Sequence, residues 1–267
     1  MTKQNKKNKN FFDVYDLKLL SGLPIQFDGI NISPLKLIEI AEMENSEDDY
    51  NKSLSSLCFD LEHLDIPYKE VLDLKERNID TYDVIINNCI SDEDYLITII
   101  KSISLFCRDY NVGFLGEEGF FLCDSVTETE MDDLKNAKFI NKQNFSNFKE
   151  VIKFQNFIYK DKEDEQEPIF GNEKAKEIYY KVRDNERKAN KLKKSKVDLY
   201  SLISSVAWKS GIGMDVWKLT IYQLYDAYYS LMIIDNCESL RSGISAGNVD
   251  GKKIKDNELN WAKKRDF

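Results

Sequence analysis

The stretch EKAKEIYYKVRDNERKANKLKKSK, residues 173–196, decides the fold class of the C-terminal part of this sequence. It contains neither proline nor glycine, the two residues that most strongly disfavour a helix interior. Its apolar residues recur near the spacing of one helix face: Ala175, Ile178, Tyr179 and Val182. We predict one long helix, and its second half, 187–196, is dominated by lysine.

Two further helices are predicted after this one, at 197–208 and 216–234, separated by Gly211 and Gly213. Glycine commonly ends helices, so the pair forms a helical hairpin. Asp215 is an acceptable N-cap for the second helix. We therefore expect an aromatic-rich helix at 215–234.

Short hairpins and helices are predicted before residue 160. Asp28-Gly29 is a tight-turn signal between apolar residues, and a Gly-Glu-Glu-Gly turn divides 112–123. Ser33-Pro34 has the form of an N-cap and first helical residue, with Leu35 and Ile38 buried. Residues 145–158 outline an amphipathic helix. The predicted class is α+β, predominantly α-helical, with short β-hairpins in the N-terminal part.

Composition shifts divide the chain into five predicted parts. The stretch 161–168 is almost wholly charged and separates two strongly patterned regions, as a linker does. The parts are a polar arm at 1–10, an α+β domain at 11–160, an acidic linker at 161–172, a helical domain at 173–236 and a C-terminal tail at 237–267.

The overall composition favours a globular, cytoplasmic protein. The chain of 267 residues has a net charge of −9, which argues against a surface covered with phosphate contacts. Its five cysteines are scattered beside apolar residues and indicate reduced core thiols. The N-terminus lacks the apolar stretch of a secretory signal, and no apolar run approaches the roughly 20 residues that cross a bilayer.

No motif in the sequence specifies a chemical reaction. His63 is the only histidine, which excludes multi-histidine metal sites. The glycines at 113, 116 and 119 lack the Lys and Ser or Thr of a phosphate-binding loop, so a hairpin turn explains them better. The acidic stretches lack the ligand spacing of a calcium-binding loop. We expect no catalytic residue, no metal and no cofactor.

The aromatic helix at 215–234 is the strongest indication of binding. Its main stripe, which includes Trp217, Leu224 and Tyr228, is expected to be core. Tyr222 and Tyr229 lie outside that stripe and give more aromatic surface than one buried face can hide. We predict Tyr222 and Tyr229, together with Trp261 in the tail, to be partly exposed partner-binding residues.

The basic end of the 173–196 helix allows a second hypothesis. Arg187, Lys191 and Lys194 have the charge needed for nucleic acid, although acidic residues interrupt the row and aromatic partners are absent. A charged helix exposed to solvent explains the same pattern. We expect weak, sequence-independent nucleic-acid binding at most.

The C-terminal third resembles proteins encoded among the tail morphogenesis genes of phages and prophages of low-GC Gram-positive bacteria. The matching segments are 203–209, 215–226 and the tail from Gly243 to Trp261, and the N-terminal segment 15–40 is also similar. The resemblance is to the tail assembly chaperone type. It implies a non-enzymatic bacteriophage protein of the host cytoplasm that binds tape-measure, tube or baseplate components. A structural subunit of the tail or baseplate, retained in the virion, stays open, as does a homo-oligomer.

Overall fold

The protein is α+β and mainly helical, with two small antiparallel sheets. The computed structural model describes residues 16–124, 137–158, 170–192, 198–255 and 258–262. Within them the chain forms two compact units. The larger unit comprises the described residues of 24–35 and 39–192, and the C-terminal unit comprises those of 16–23, 36–38 and 198–262. The polar arm at 1–10 and most of the acidic linker lie outside the described residues.

Helices dominate the larger unit. The short helix α2 spans Leu37–Ala41, and its residues from Glu39 onward belong to this unit. The others are α3 (Glu47–Cys58), α4 (Tyr68–Glu76), α5 (Thr81–Ser91), α6 (Glu93–Phe106), α7 (Phe145–Gln155) and α8 (Glu173–Leu192). Helix α6 packs against α3 and α5, and α3 also packs against α7. The core of this unit is built from fully buried side chains: Leu57, Ile85, Ile99, Ile103, Phe106 and Phe148.

Both predicted hairpins are confirmed. Strands β1 (Ile25–Phe27) and β2 (Ile30–Ile32) pair in antiparallel register, with Ile25 opposite Ile32. Asp28 and Gly29 between them have φ of 46° and 76°, as the tight turns of two-residue hairpins require. Strands β3 (Tyr110–Phe114) and β4 (Phe120–Asp124) form the second hairpin, which β5 (Lys138–Ile140) extends to three strands.

The C-terminal unit contains three α-helices among the described residues. They are α1 (Asp16–Ser21), α9 (Leu199–Lys209) and α10 (Ile221–Ser245). Helix α10 packs against both α1 and α9. Residues 36–38 join this unit through an antiparallel bridge between Lys36 and Thr220 and a 2.9 Å hydrogen bond from Leu37 N to Leu219 O. Its buried apolar side chains include Leu19, Leu37, Leu202, Val206, Val216, Ile221 and Leu224.

The division between the units differs from the predicted domain boundaries. The sequence placed residues 173–192 in the helical C-terminal domain, but α8 packs against α4 of the larger unit. The backbone N of Tyr68 donates a 2.8 Å hydrogen bond to Asp184 Oδ1, which fixes the beginning of α4 to α8. The predicted tail at 237–267 also differs, because α10 continues to Ser245.

Two predicted helix starts are wrong. The helix expected at Ser33-Pro34 begins at Leu37, because Ser33 N donates to Phe106 O and Lys36 lies in a β-bridge, which keeps the chain extended. Ile38, expected to be buried, is 40% exposed. The helix expected from Asp215 begins at Ile221, because residues 213–218 form a 3-10 helix instead.

Candidate protein-binding surface

A capping box sets the start of the aromatic helix α10. Thr220 Oγ1 accepts a hydrogen bond from Gln223 N, and Thr220 N donates to Gln223 Oε1 at 2.8 Å. Gln223 Nε2 also donates to Leu20 O at 2.9 Å, which ties the end of α1 to this turn. The first turn of α10 is therefore the best-anchored part of the helix.

Burial along α10 depends on distance from this anchored end. Ile221, Tyr222 and Leu224 are buried in the first turn, whereas Cys237 is the one buried residue in the remainder of the helix. Tyr222 is only 7% exposed, so its prediction as a partly exposed binding residue is wrong. Tyr229 lies two turns further on, near the same helix face, and is 38% exposed. Helical spacing shows which residues share a face of the helix. It does not show how far along the helix that face stays buried.

The predicted core stripe of α10 is only partly buried. Leu224 is fully buried, as predicted. Trp217, which lies in the preceding 3-10 helix, and Tyr228 are half-buried. The C-terminal unit therefore has less aromatic core and more aromatic surface than the sequence indicated.

Large apolar side chains are exposed over much of the C-terminal unit. Its exposed aromatic and methionine side chains are Tyr200 (80%), Trp208 (70%), Met214 (67%), Trp261 (56%), Met232 (43%) and Tyr229 (38%). The segment that carries Trp261 is attached to α10, since Cys237 Sγ contacts Glu258 O and Arg241 donates to Leu259 O. Trp, Tyr and Met are enriched in protein interfaces. We call these six residues the aromatic surface.

An apolar groove of about 500 Å³ lies within the same unit. Helix α1, the end of α9, the turn after it and the first half of α10 form its walls. Its lining includes Leu20, Val206, Ile212, Leu219 and Ala227. A groove of this composition suits an apolar side chain or a short helix of another protein.

Arg187 is bonded within the larger unit, which differs from the role that the nucleic-acid hypothesis gives it. Its guanidinium donates to three backbone carbonyls of the larger unit, those of Glu62, Leu64 and Ile66, at 2.7 to 3.0 Å. The side chain is only 17% exposed. With three donors occupied and the side chain largely buried, Arg187 is poorly placed to contact phosphate in this fold. The side chain of Lys191 and all of Lys194 lie outside the described residues.

We expect Arg187→Lys to destabilise the larger unit by roughly 2–3 kcal/mol, because one ammonium group cannot replace a fork bonded to three carbonyls. Urea unfolding followed by circular dichroism measures this loss. Lys188→Ala, next to it and exposed, should change stability by no more than about 0.5 kcal/mol. Equal stability of Arg187→Lys and the parent protein would show that the three hydrogen bonds are dispensable.

Two buried lysines of α7 share one carboxylate in the larger unit. Asp60 Oδ1 accepts a hydrogen bond from Lys149 Nζ at 2.8 Å, and Oδ2 accepts one from Lys153 Nζ at 2.9 Å. The two lysine side chains are 9% and 4% exposed. Burial raises the pKa of Asp60, but the hydrogen bonds and charges of the lysines outweigh it and lower the pKa to about 2. Both carboxylate oxygens are occupied, which suits a structural role.

A cleft of about 820 Å³ lies beside this cluster. Two lysines of its charged rim form ion pairs: Lys75 with Glu62, and Lys142 with Asp83. His63 also lines the cleft, and its Nδ1 accepts a hydrogen bond from Asp60 N at 2.9 Å. That bond assigns His63 a local capping role in a 3-10 turn.

The described residues contain no group of three or more His, Cys, Asp or Glu side chains that could hold a metal ion. All five cysteines are free thiols, and four of them are buried. Burial raises the pKa of Cys58 and of Cys107 to about 12, so neither thiol ionises near neutral pH. In the part of the chain that the structure describes, no helix has the length and apolar character to cross a membrane.

Residues 190–266 match the family model of the YomV second domain. This is a phage-type domain, like that of a Bacillus prophage protein, and the match supports a phage protein. The matched stretch contains α9, α10 and all six residues of the aromatic surface. No curated protein and no solved structure matches the chain.

Proposed function

We propose that this protein is a non-enzymatic phage tail morphogenesis protein, of the tail assembly chaperone type, that acts by binding other tail proteins. Its partners would be tape-measure, tube or baseplate components. The observation that supports this proposal is the coincidence of the aromatic surface with the phage-type domain. Exposed Trp and Tyr side chains supply much of the binding energy at protein interfaces when a partner covers them.

Two other functions are compatible with parts of the molecule. A structural subunit of the tail or baseplate would use the same surface but would remain in the finished particle. A nucleic-acid-binding regulator would need the basic end of α8, and the three hydrogen bonds of Arg187 remove one of its cations from that role. The protein-binding hypothesis is therefore preferred.

The proposal is tested by capture of separately purified tail proteins, encoded beside this gene, on the immobilised full chain. We expect a tape-measure, tube or baseplate protein to bind, and Trp208→Ala with Trp261→Ala to weaken binding about tenfold or more. Ile90→Ala, at an apolar residue of the larger unit about as exposed as Trp261, is the matched control. Failure to capture any of them, or capture unaffected by the two tryptophan changes, would contradict the proposal.

A further inference from the structure

Helix α8 places its apolar stripe on the side that faces solvent. Amphipathic helices of globular proteins normally bury that stripe. Here Ile178 is 55% exposed and Val182 is 47% exposed. The remaining members of the stripe are also exposed: Ala175, Asn185 and Ala189.

A different face of α8 packs in the larger unit. Tyr180 contacts the ring of Tyr68, with centroids 5.7 Å apart, and Arg187 donates to the carbonyls of the 62–66 segment. At 100° per residue, Tyr180 and Arg187 lie roughly opposite Val182. The apolar stripe therefore lies away from the face through which α8 packs on the described residues of the larger unit.

The stripe has the spacing of a coiled-coil seam. Its residues follow one another at intervals of 3, 4, 3 and 4, which is the a/d pattern of two heptads. The seam extends over about 21 Å at 1.5 Å per residue. Asn185 occupies one seam position, where a polar residue specifies register in coiled coils.

One flank of the seam is uniformly basic. Lys174, Lys181 and Lys188 lie at heptad spacing along it, and all three are exposed. Among the described residues none of the three forms an ion pair, whereas Glu186, on the other flank, pairs with Arg183 at 3.4 Å. Charges beside an a/d seam select the partner helix and its orientation.

We propose that α8 is a docking helix for one amphipathic helix of another protein, whose apolar seam is flanked by Asp or Glu on the side that meets Lys174, Lys181 and Lys188. A second copy of this chain fits less well. In an antiparallel pair the two lysine flanks would meet and repel each other. In a parallel pair the lysines would meet the opposite flank, which contains Tyr179 and Glu186, and Glu186 is already paired with Arg183. This surface is independent of the aromatic surface of the C-terminal unit.

The test uses two labelled synthetic peptides of three heptads, with the same apolar seam and either Glu or Lys at the flanking positions, titrated with the full chain. We expect the Glu peptide to bind about tenfold more tightly than the Lys peptide, because three ion pairs together account for roughly one factor of ten. Ile178→Asp with Val182→Asp should abolish binding. Both positions are exposed, so the melting temperature should be unchanged.

Charge reversal supplies a second variant. Lys174→Glu, Lys181→Glu and Lys188→Glu together should make the protein prefer the Lys peptide. The matched control carries the same charge change at exposed lysines elsewhere: Lys52→Glu, Lys69→Glu and Lys101→Glu. It should keep the preference for the Glu peptide. Equal binding of the two peptides, or binding retained by the double Asp variant, would overturn the proposal. Self-association that Ile178→Asp abolishes would assign the seam to a second copy and also overturn it.

Discussion

Asp60→Asn is expected to destabilise the larger unit by roughly 3–5 kcal/mol, the loss that follows when one partner of a buried ion pair is removed. The substitution keeps the shape of the side chain but leaves the ammonium groups of Lys149 and Lys153 buried without their shared counter-charge. Urea unfolding at pH 7 measures the loss. Asp94→Asn, at an exposed carboxylate, should change stability by no more than about 0.5 kcal/mol.

The parent protein and Asp60→Asn should become more similar in stability at low pH. The pKa of Asp60 is lowered to about 2 in the folded protein, below the value near 3.9 of an unfolded chain. Its contribution to stability is therefore complete above about pH 4 and is lost as the pH falls through about 2. The difference in unfolding free energy between Asp60→Asn and the parent should shrink over that window. A difference that stays constant would mean that the carboxylate charge is not what stabilises the cluster.

A second substitution separates charge from packing. Replacing Lys153 by Met in the Asp60→Asn protein removes one of the two buried cations that lose Asp60 as a partner, and it keeps most of the volume. We expect this double variant to be more stable than Asp60→Asn alone. No recovery would indicate that Lys149 carries the whole interaction or that the loss arises from packing.

The sequence predicted local structure well where the signal is itself local. Asp28-Gly29 specifies a tight turn because both residues must adopt positive φ, and the apolar spacing of 145–155 is that of a helix with one buried face. These signals depend on neighbours within a few positions. The α+β class, mainly helical, followed from them.

The buried lysines of α7 were not predicted, although their spacing contains a signal. Lys149 and Lys153 are four residues apart and lie beside the buried face formed by Phe148 and Ile152. Their shared partner Asp60 offsets much of the cost of burying two charges, and it lies about ninety positions earlier in the chain. A contact over that distance is decided by the tertiary fold.

The contacts of α8 depend on the tertiary fold in the same way. The charged stretch 161–168 before it indicated a domain boundary, whereas Asp184 and Arg187 bond to backbone groups of the 62–68 segment. Backbone carbonyls and amides are present at every position, so the sequence does not identify which of them a guanidinium or carboxylate will reach. The exposure expected of the three candidate binding residues was predicted in part: Tyr229 and Trp261 are exposed, and Tyr222 is not.

Tyr222→Ala and Tyr229→Ala form a matched pair on α10, seven residues apart on nearly the same face. We expect Tyr222→Ala to cost roughly 3–5 kcal/mol, because Tyr222 is 7% exposed and its removal leaves a cavity in the best-anchored turn of the helix. Tyr229→Ala should cost no more than about 1 kcal/mol, since Tyr229 is 38% exposed. Thermal and urea unfolding measure both changes.

In the binding assay, and for variants that remain folded, a change at Tyr229 should have a larger effect than a change at Tyr222. Tyr229→Ala is expected to keep its melting temperature and to weaken capture of tail proteins by about 1–2 kcal/mol, or more if it is a hot spot. Tyr222→Phe, which keeps the buried ring, should leave capture unchanged, because a side chain that is 7% exposed offers almost no area to a partner. If Tyr229→Ala folds and retains every partner while Tyr222→Phe loses one, the binding surface lies near the first turn of α10 and not along its exposed half.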